Sequence, residues 1–235
     1  MRLALFSLVF TFTCHTIFAA SICKENPAQL IANYQVNHQN VKGSITRDTL
    51  TLARLNNQVG QYYHGKSYGD LWSKPSEQHL LLTRYFPDYQ KAIEYQTDEI
   101  PVRSYTATWQ QQWQLLTDQF VANMERIEIQ SKGCYRVEVL TSKVNQIEYT
   151  LYWLPTLRLV EKLVIKTEEN LLTSWQLTSI NHELEDVQNY VNNILTFQTI
   201  DYADIGDNEA DPLLTKMIHQ GFKEREVIVH SHSPD

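Results

Sequence analysis

Ile147, Tyr149, Leu151 and Trp153 are spaced by Glu148, Thr150 and Tyr152, so one side of this stretch is apolar and the other largely polar. A period of two belongs to a strand with one buried face. It recurs nearby, where Tyr135, Val137 and Val139 alternate with Arg136, Glu138 and Leu140. Turn signals punctuate similar runs elsewhere. Residues 49–55 and 58–64 flank Asn56-Asn57, a tight hairpin turn, and residues 78–86 and 90–96 flank Pro87-Asp88. Adding 68–73, 157–166 and 171–180 gives two meanders, roughly nine antiparallel strands in all, a sheet long enough to curl with one face wet and the other covered.

The period changes over residues 108–124. Trp109, Trp113, Leu116, Phe120 and Met124 recur at steps of three or four, which predicts one helix of about four turns with Gln110, Gln111, Gln114 and Asp118 on its opposite side. Asn26-Pro27 is expected to open a short helix carrying Leu30, Ile31 and Tyr34. Residues 183–195 read as a helix with Leu184, Val187, Val191 and Ile194 along one side. A last helix has Asp211 as cap, Pro212 first, an apolar face of Leu213, Leu214, Met217 and Ile218, and Gly221 at its C-cap. The expectation is an α+β fold, a curved, half-barrel-like antiparallel sheet with helices packed on one face.

Residues 1–20 have the order of a cleaved signal peptide: Arg2, an apolar run from Leu3 to Phe12, and small residues at Ala19-Ala20. That run is too short to span a bilayer, and no later stretch reaches the roughly 18–20 apolar residues a spanning helix needs. We therefore expect residues 21–228 to form one exported α+β domain, periplasmic or alternatively secreted, followed by a flexible tail at 229–235. Cleavage leaves two cysteines, Cys23 and Cys134, which in an oxidising compartment pair and tie the N-terminus to a central strand. A formal charge of −7 argues against nucleic acid or an anionic membrane as the main partner.

Two clusters could carry function. Asp201, Asp204, Asp207, Glu209 and Asp211 concentrate oxygens that could hold a hard cation, favour the N-terminal end of the following helix, or face a partner. The cap reading is the stronger, so no metal and no cofactor are expected. Trp72, Tyr85, Tyr95, Trp109, Trp113, Tyr149, Trp153 and Trp175 either fill the core or line a cavity for an apolar ligand such as an acyl chain. His230 and His232 have a metal-binding spacing but lie in the tail. The sequence has no nucleophile elbow, zinc-protease helix or phosphate loop, so no catalytic residue is assigned and an enzyme is not favoured.

The stretches LLTRYFPDYQKAIEY and FQTIDYADIGDNEADPLLTKMIHQGF, with Tyr152-Trp153-Leu154-Pro155 between them, resemble an uncharacterised family of exported proteins of Gram-negative bacteria. The order meander, helix, meander also resembles the half-barrel of periplasmic lipoprotein carriers and sigma-factor regulators (LolA- and RseB-like proteins). That resemblance implies a non-enzymatic binding or carrier protein for an apolar ligand or a lipidated partner. The alternative is an interaction module that docks segment 201–209 on an exported protein, and a hydrolase-like enzyme ranks third.

Overall fold

The computed structural model describes residues 23, 26–100, 108–168, 171–208 and 212–223. The strands are β1 (Gln29–Gln39), β2 (Ile45–Leu55), β3 (Gln58–Tyr63), β4 (Gly69–Ser76), β5 (His79–Phe86), β6 (Lys91–Tyr95), β7 (Glu125–Lys132), β8 (Tyr135–Val144), β9 (Ile147–Leu154), β10 (Leu159–Lys166), β11 (Leu172–Asn181) and β12 (Gln198–Asp201). They form one curved, unclosed sheet of twelve strands in the order β12-β6-β5-β4-β3-β2-β1-β11-β10-β9-β8-β7. All pairings are antiparallel except β12 on β6, which is parallel. The α+β architecture is as expected, with more strands than nine.

The three additional strands have separate reasons. Residues 29–39 form β1 rather than a helix, because Leu30, Ala32, Tyr34 and Val36 alternate into the core. Asn26 shapes a turn instead of a cap, its side-chain oxygen accepting from Ala28 N at 3.0 Å. β1 then joins the two meanders, pairing with β2 on one side and β11 on the other. All eight residues of β7 are exposed, and its alternation is confined to Ile127 and Ile129 between Arg126, Glu128 and Gln130. β12 has only four residues.

The expected four-turn helix is two short ones, α1 (Trp109–Gln114) and α2 (Asp118–Ala122). Leu115 takes a left-handed φ of +69° between them. Thr108 and Thr117 each cap a helix, accepting from Gln111 N and Phe120 N. The second cap ends the periodicity, since a side chain bonded to a backbone N–H opens a new helix there. Gln114, expected on the polar side, is fully buried: its amide donates to Asp118 at 2.7 Å and its oxygen accepts from Arg158 at 2.8 Å.

The sheet has two packed faces. The inner face carries the large core, built on Leu30, Tyr34, Leu52, Trp72, Leu82, Leu151, Leu163 and Trp175, and Leu115 and Leu116 of the α1–α2 link, Phe120 of α2, and Leu214 and Met217 of α4 (Pro212–Lys223) add to it. On the outer face Val191 and Ile194 of α3 (Leu184–Leu195) pack against Leu71, Tyr85 and Ala92. Helices therefore cover both faces, because β4–β6 are apolar on their outer side as well. Gly60 permits this approach, since a Cβ there would lie 3.0 Å from the Tyr190 ring. Leu184 departs from its expected stripe and is exposed. Gly221 lies within α4 rather than at its C-cap, and Asp211 lies outside the described residues.

Cys23 and Cys134 form a disulfide with Cα atoms 5.7 Å apart. Cys134 sits in the turn between β7 and β8, at the rim of the sheet and not on a central strand. Segments 1–20 and 229–235, with His230 and His232, lie outside the described residues. No helix among the described residues is long and apolar enough to cross a membrane.

Candidate functional site

Alternation decides which aromatic residues meet. Trp72 on β4, Tyr95 on β6, Tyr149 and Trp153 on β9 and Trp175 on β11 are all buried in the inner core, and Trp109 and Trp113 of α1 lie half-buried against it. Tyr85 is the exception. It sits on the outer face, its hydroxyl hydrogen-bonded to that of Tyr190 at 3.1 Å. Within the inner face Tyr95 stacks on Tyr202 with ring centres 4.8 Å apart, and Phe120 of α2 meets Tyr149 edge-on at 5.2 Å.

Two buried arginines complete this face, and neither was assigned a role from the sequence. Arg54 is fully buried on β2. Its Nε donates to Trp113 O (2.6 Å), Nη1 to Pro27 O (3.2 Å) and Leu157 O (2.8 Å), and Nη2 to Arg158 O (2.8 Å). The guanidinium also lies 3.8 Å from the centre of the Trp113 ring. Burial pulls its pKa down to about 9, with Tyr34 opposing and Arg158 adding to the shift. One side chain thus ties the entry to β1, helix α1 and the β9–β10 turn to the middle of the sheet. Arg84 instead has a carboxylate partner, donating from Nε and Nη2 to both oxygens of Asp70 at 2.8 and 3.0 Å. A signal was present for Arg54: Leu50, Leu52 and Arg54 share one side of a strand, which places a cation among core positions.

Three polar atoms of the inner face contrast with these pairs. The Tyr34 hydroxyl and the Nε1 atoms of Trp72 and Trp175 are buried without a hydrogen-bond partner. Burial pushes the Tyr34 phenol up, so it stays protonated at neutral pH.

The acidic segment is shaped by local bonds. Asp201 ends β12 exposed, and its Oδ1 accepts from Ala203 N at 3.0 Å. Asp204 is exposed on the 3-10 turn Tyr202–Asn208, which also contains Asp207. Glu209 lies outside the described residues. No group of three or more His, Cys, Asp or Glu placed to hold a metal occurs among the described residues. An open, polar cleft of about 490 Å³ lies at Gln35, Arg47, Asp48, Thr49, His64 and Thr178. Its acid, Asp48, accepts from the backbone N–H of Thr49 and Gly65.

No protein-family model matches the chain, and no curated protein matches it. Solved structures do. PNGF-II aligns at 10% identity and a TM-score of 0.41 over 81% of this chain, which spans 33% of that structure's length. The MucA/MucB complex of Pseudomonas aeruginosa aligns at 11% identity and a TM-score of 0.34, covering 66% of this chain and 52% of the other. A LolA superfamily protein from Nitrosomonas europaea aligns at 6% identity and a TM-score of 0.29, covering 66% and 86%. The structures similar to this chain thus include the LolA and MucB types that the strand pattern resembles.

Proposed function

We propose that the protein is an exported, non-enzymatic binding or carrier protein of the periplasm. Its ligand, an apolar chain or the lipid of a modified partner, enters between the inner face of the sheet and its helical cover. The observation that carries this reading is how that cover is built. The aromatic face is closed by helices of six and five residues broken at Leu115, and by α4, none of which shares the sheet's hydrogen-bond ladder. Helices this short have little stability of their own. Apolar contacts, the Arg54 anchor and the side-chain bonds of Gln61 and Arg158 to α1 and α2 hold them, so they can lift while the twelve strands stay paired. The Cys23–Cys134 bridge suits an oxidising compartment.

The test is binding of an apolar fluorescent probe such as N-phenylnaphthylamine, alongside mass spectrometry of lipid co-purified with the protein. Gln61 on β3 donates to Gln112 O of α1 at 2.6 Å. A Gln61→Cys, Gln112→Cys pair joined by a reducible bis-methanethiosulfonate linker would therefore pin the cover to the sheet. Probe binding that falls on cross-linking and returns on reduction of the linker supports the reading. Absence of both co-purified lipid and probe binding overturns it.

A further inference from the structure

The two edges of the twelve-stranded sheet are unlike. β12 is a strand of four residues running into the turn Tyr202–Asn208. β7 has eight residues, all exposed, and pairs with β8 on one side, while no described strand lies on its other side. Ile127 and Ile129 stand 59% and 52% exposed there. An open edge offers a row of main-chain N–H and C=O groups to another strand, and folds usually blunt it by shortness, a bulge or charges. The bulge of β7 lies between Arg126 and Glu128, at one end. From Glu128 to Lys132 the strand is regular, pairing residue for residue with Val139 back to Tyr135. Its charges therefore decide what can join it.

Within that regular segment Glu128, Gln130 and Lys132 share one side, and Ile129 and Ser131 share the other. The opposite charges at its two ends are complementary to the same segment running the other way. When two copies pair antiparallel and continue one sheet, residues facing each other lie on the same side, so the two-fold axis passes through a residue. Centred on Gln130, the whole segment is matched. Glu128 then lies opposite Lys132 of the second copy, twice by symmetry, with Ile129 opposite Ser131 and Gln130 opposite itself. Centring on Glu128 or Lys132 sets like charges face to face on the axis, which is destabilising. Centring on Ile129 or Ser131 matches a shorter stretch and leaves Glu128 and Lys132 unmatched. Lys132 already donates to Glu161 of its own chain. Its side chain is nonetheless 58% exposed, and an ammonium has three donors.

We propose that β7 is a homodimer interface, in which a second copy of this chain adds its own β7 antiparallel, in register about Gln130, so that the sheet runs on through the two-fold axis. The contact is isologous, so it closes at two copies. It uses none of the inner face and stands apart from the carrier reading.

The test is sedimentation equilibrium of the mature chain over a concentration series reaching about 1 mM, where even a weak association registers. The wild-type protein is expected to approach twice the monomer mass. Glu128→Lys places like charges opposite each other at both ends of the ladder and should weaken the dimer about tenfold, with Glu128→Gln in between. Glu128→Lys mixed with Lys132→Glu should recover the dimer, because each chain then supplies the charges the other lacks. Should Lys132→Glu fail to fold beside Glu161, the order wild type, Glu128→Gln, Glu128→Lys still decides the matter. A wild-type protein that stays monomeric throughout overturns the proposal, as does a dimer indifferent to Glu128→Lys. Folded single variants whose mixture stays monomeric overturn it too, since the register would be wrong.

Discussion

Replacing Arg54 by Met should be the most damaging conservative-volume change in the inner face. The guanidinium satisfies four main-chain carbonyls, those of Pro27, Trp113, Leu157 and Arg158. Methionine fills much of the same space and satisfies none of them. At about 1 kcal/mol for each acceptor left buried and unpaired, the low end for such groups, the loss is about 4 kcal/mol. The stacking on Trp113 goes as well. Removing the buried charge returns some of this, because an arginine whose pKa is driven down to about 9 is held at a desolvation cost. We expect a net loss of about 3 kcal/mol, or about 10 °C in the thermal midpoint for a chain of this size. Urea unfolding followed by tryptophan fluorescence reads it directly. Arg54→Lys should fall between wild type and Met, because an ammonium keeps the charge but cannot span four carbonyls. A Met variant within 0.5 kcal/mol of wild type, on the scale of a surface substitution, would show that water replaces the guanidinium and that Arg54 is no anchor.

Two other outcomes follow from the same geometry. Cys23 and Cys134 close a loop 111 residues apart in sequence, so changing both to Ser should cost about 4–5 kcal/mol in the chain-entropy account, measured by the same urea titration with and without reductant. Burial lowers the pKa of His38 below its ordinary 6.5, against the pull of Asp48, and its Nδ1 bonds to Thr173 at 3.1 Å. The fold therefore favours the neutral ring, and this stability is full above pH 6.5 and lost as the pH falls through that value toward the folded pKa. His38→Gln should flatten the fall in unfolding midpoint between pH 7 and 5, and an unchanged slope would remove His38 as its source.

Strands with one wet face were legible because alternation survives in sequence. β8, β9 and the β2–β3 hairpin across Asn56 stand where turn chemistry and period two place them. β1 was hidden by the helix-start pair Asn26-Pro27 and by Ile31, an apolar residue on the side opposite Leu30. β7 offered only the short alternation of Ile127 and Ile129, because neither of its faces is buried and the rest of the strand is polar. Tyr85 landed on the wrong side because β5 is apolar on both, Leu82 and Phe86 facing one core and Tyr85 the other. The aromatic residues of the candidate site could be listed from the sequence. Their cover could not, since a stripe at helical spacing looks alike whether Leu115 continues the helix or breaks it. The burial of the Tyr34 hydroxyl and the Trp175 indole away from protein acceptors was beyond reach, because it shows only when neighbouring strands are in register.

The place of β1 in the sheet has a consequence for how the chain assembles. Its two neighbours are β2, which follows at once, and β11, whose far end brings Gln29 to His182 across 153 residues. The centre of the sheet is thus the last seam to close, and each meander must hold itself together before that happens. Contacts this distant in sequence make folding slow. A bridge between Cys23 and Cys134 shortens the path from β1 to β11 to roughly a third, which lowers the entropy of closing the seam. Oxidation is then a step in assembly as well as a brace on the finished fold, and a chain emerging into a reducing medium would dwell longer with its two halves unjoined and its central strand edges open to other chains.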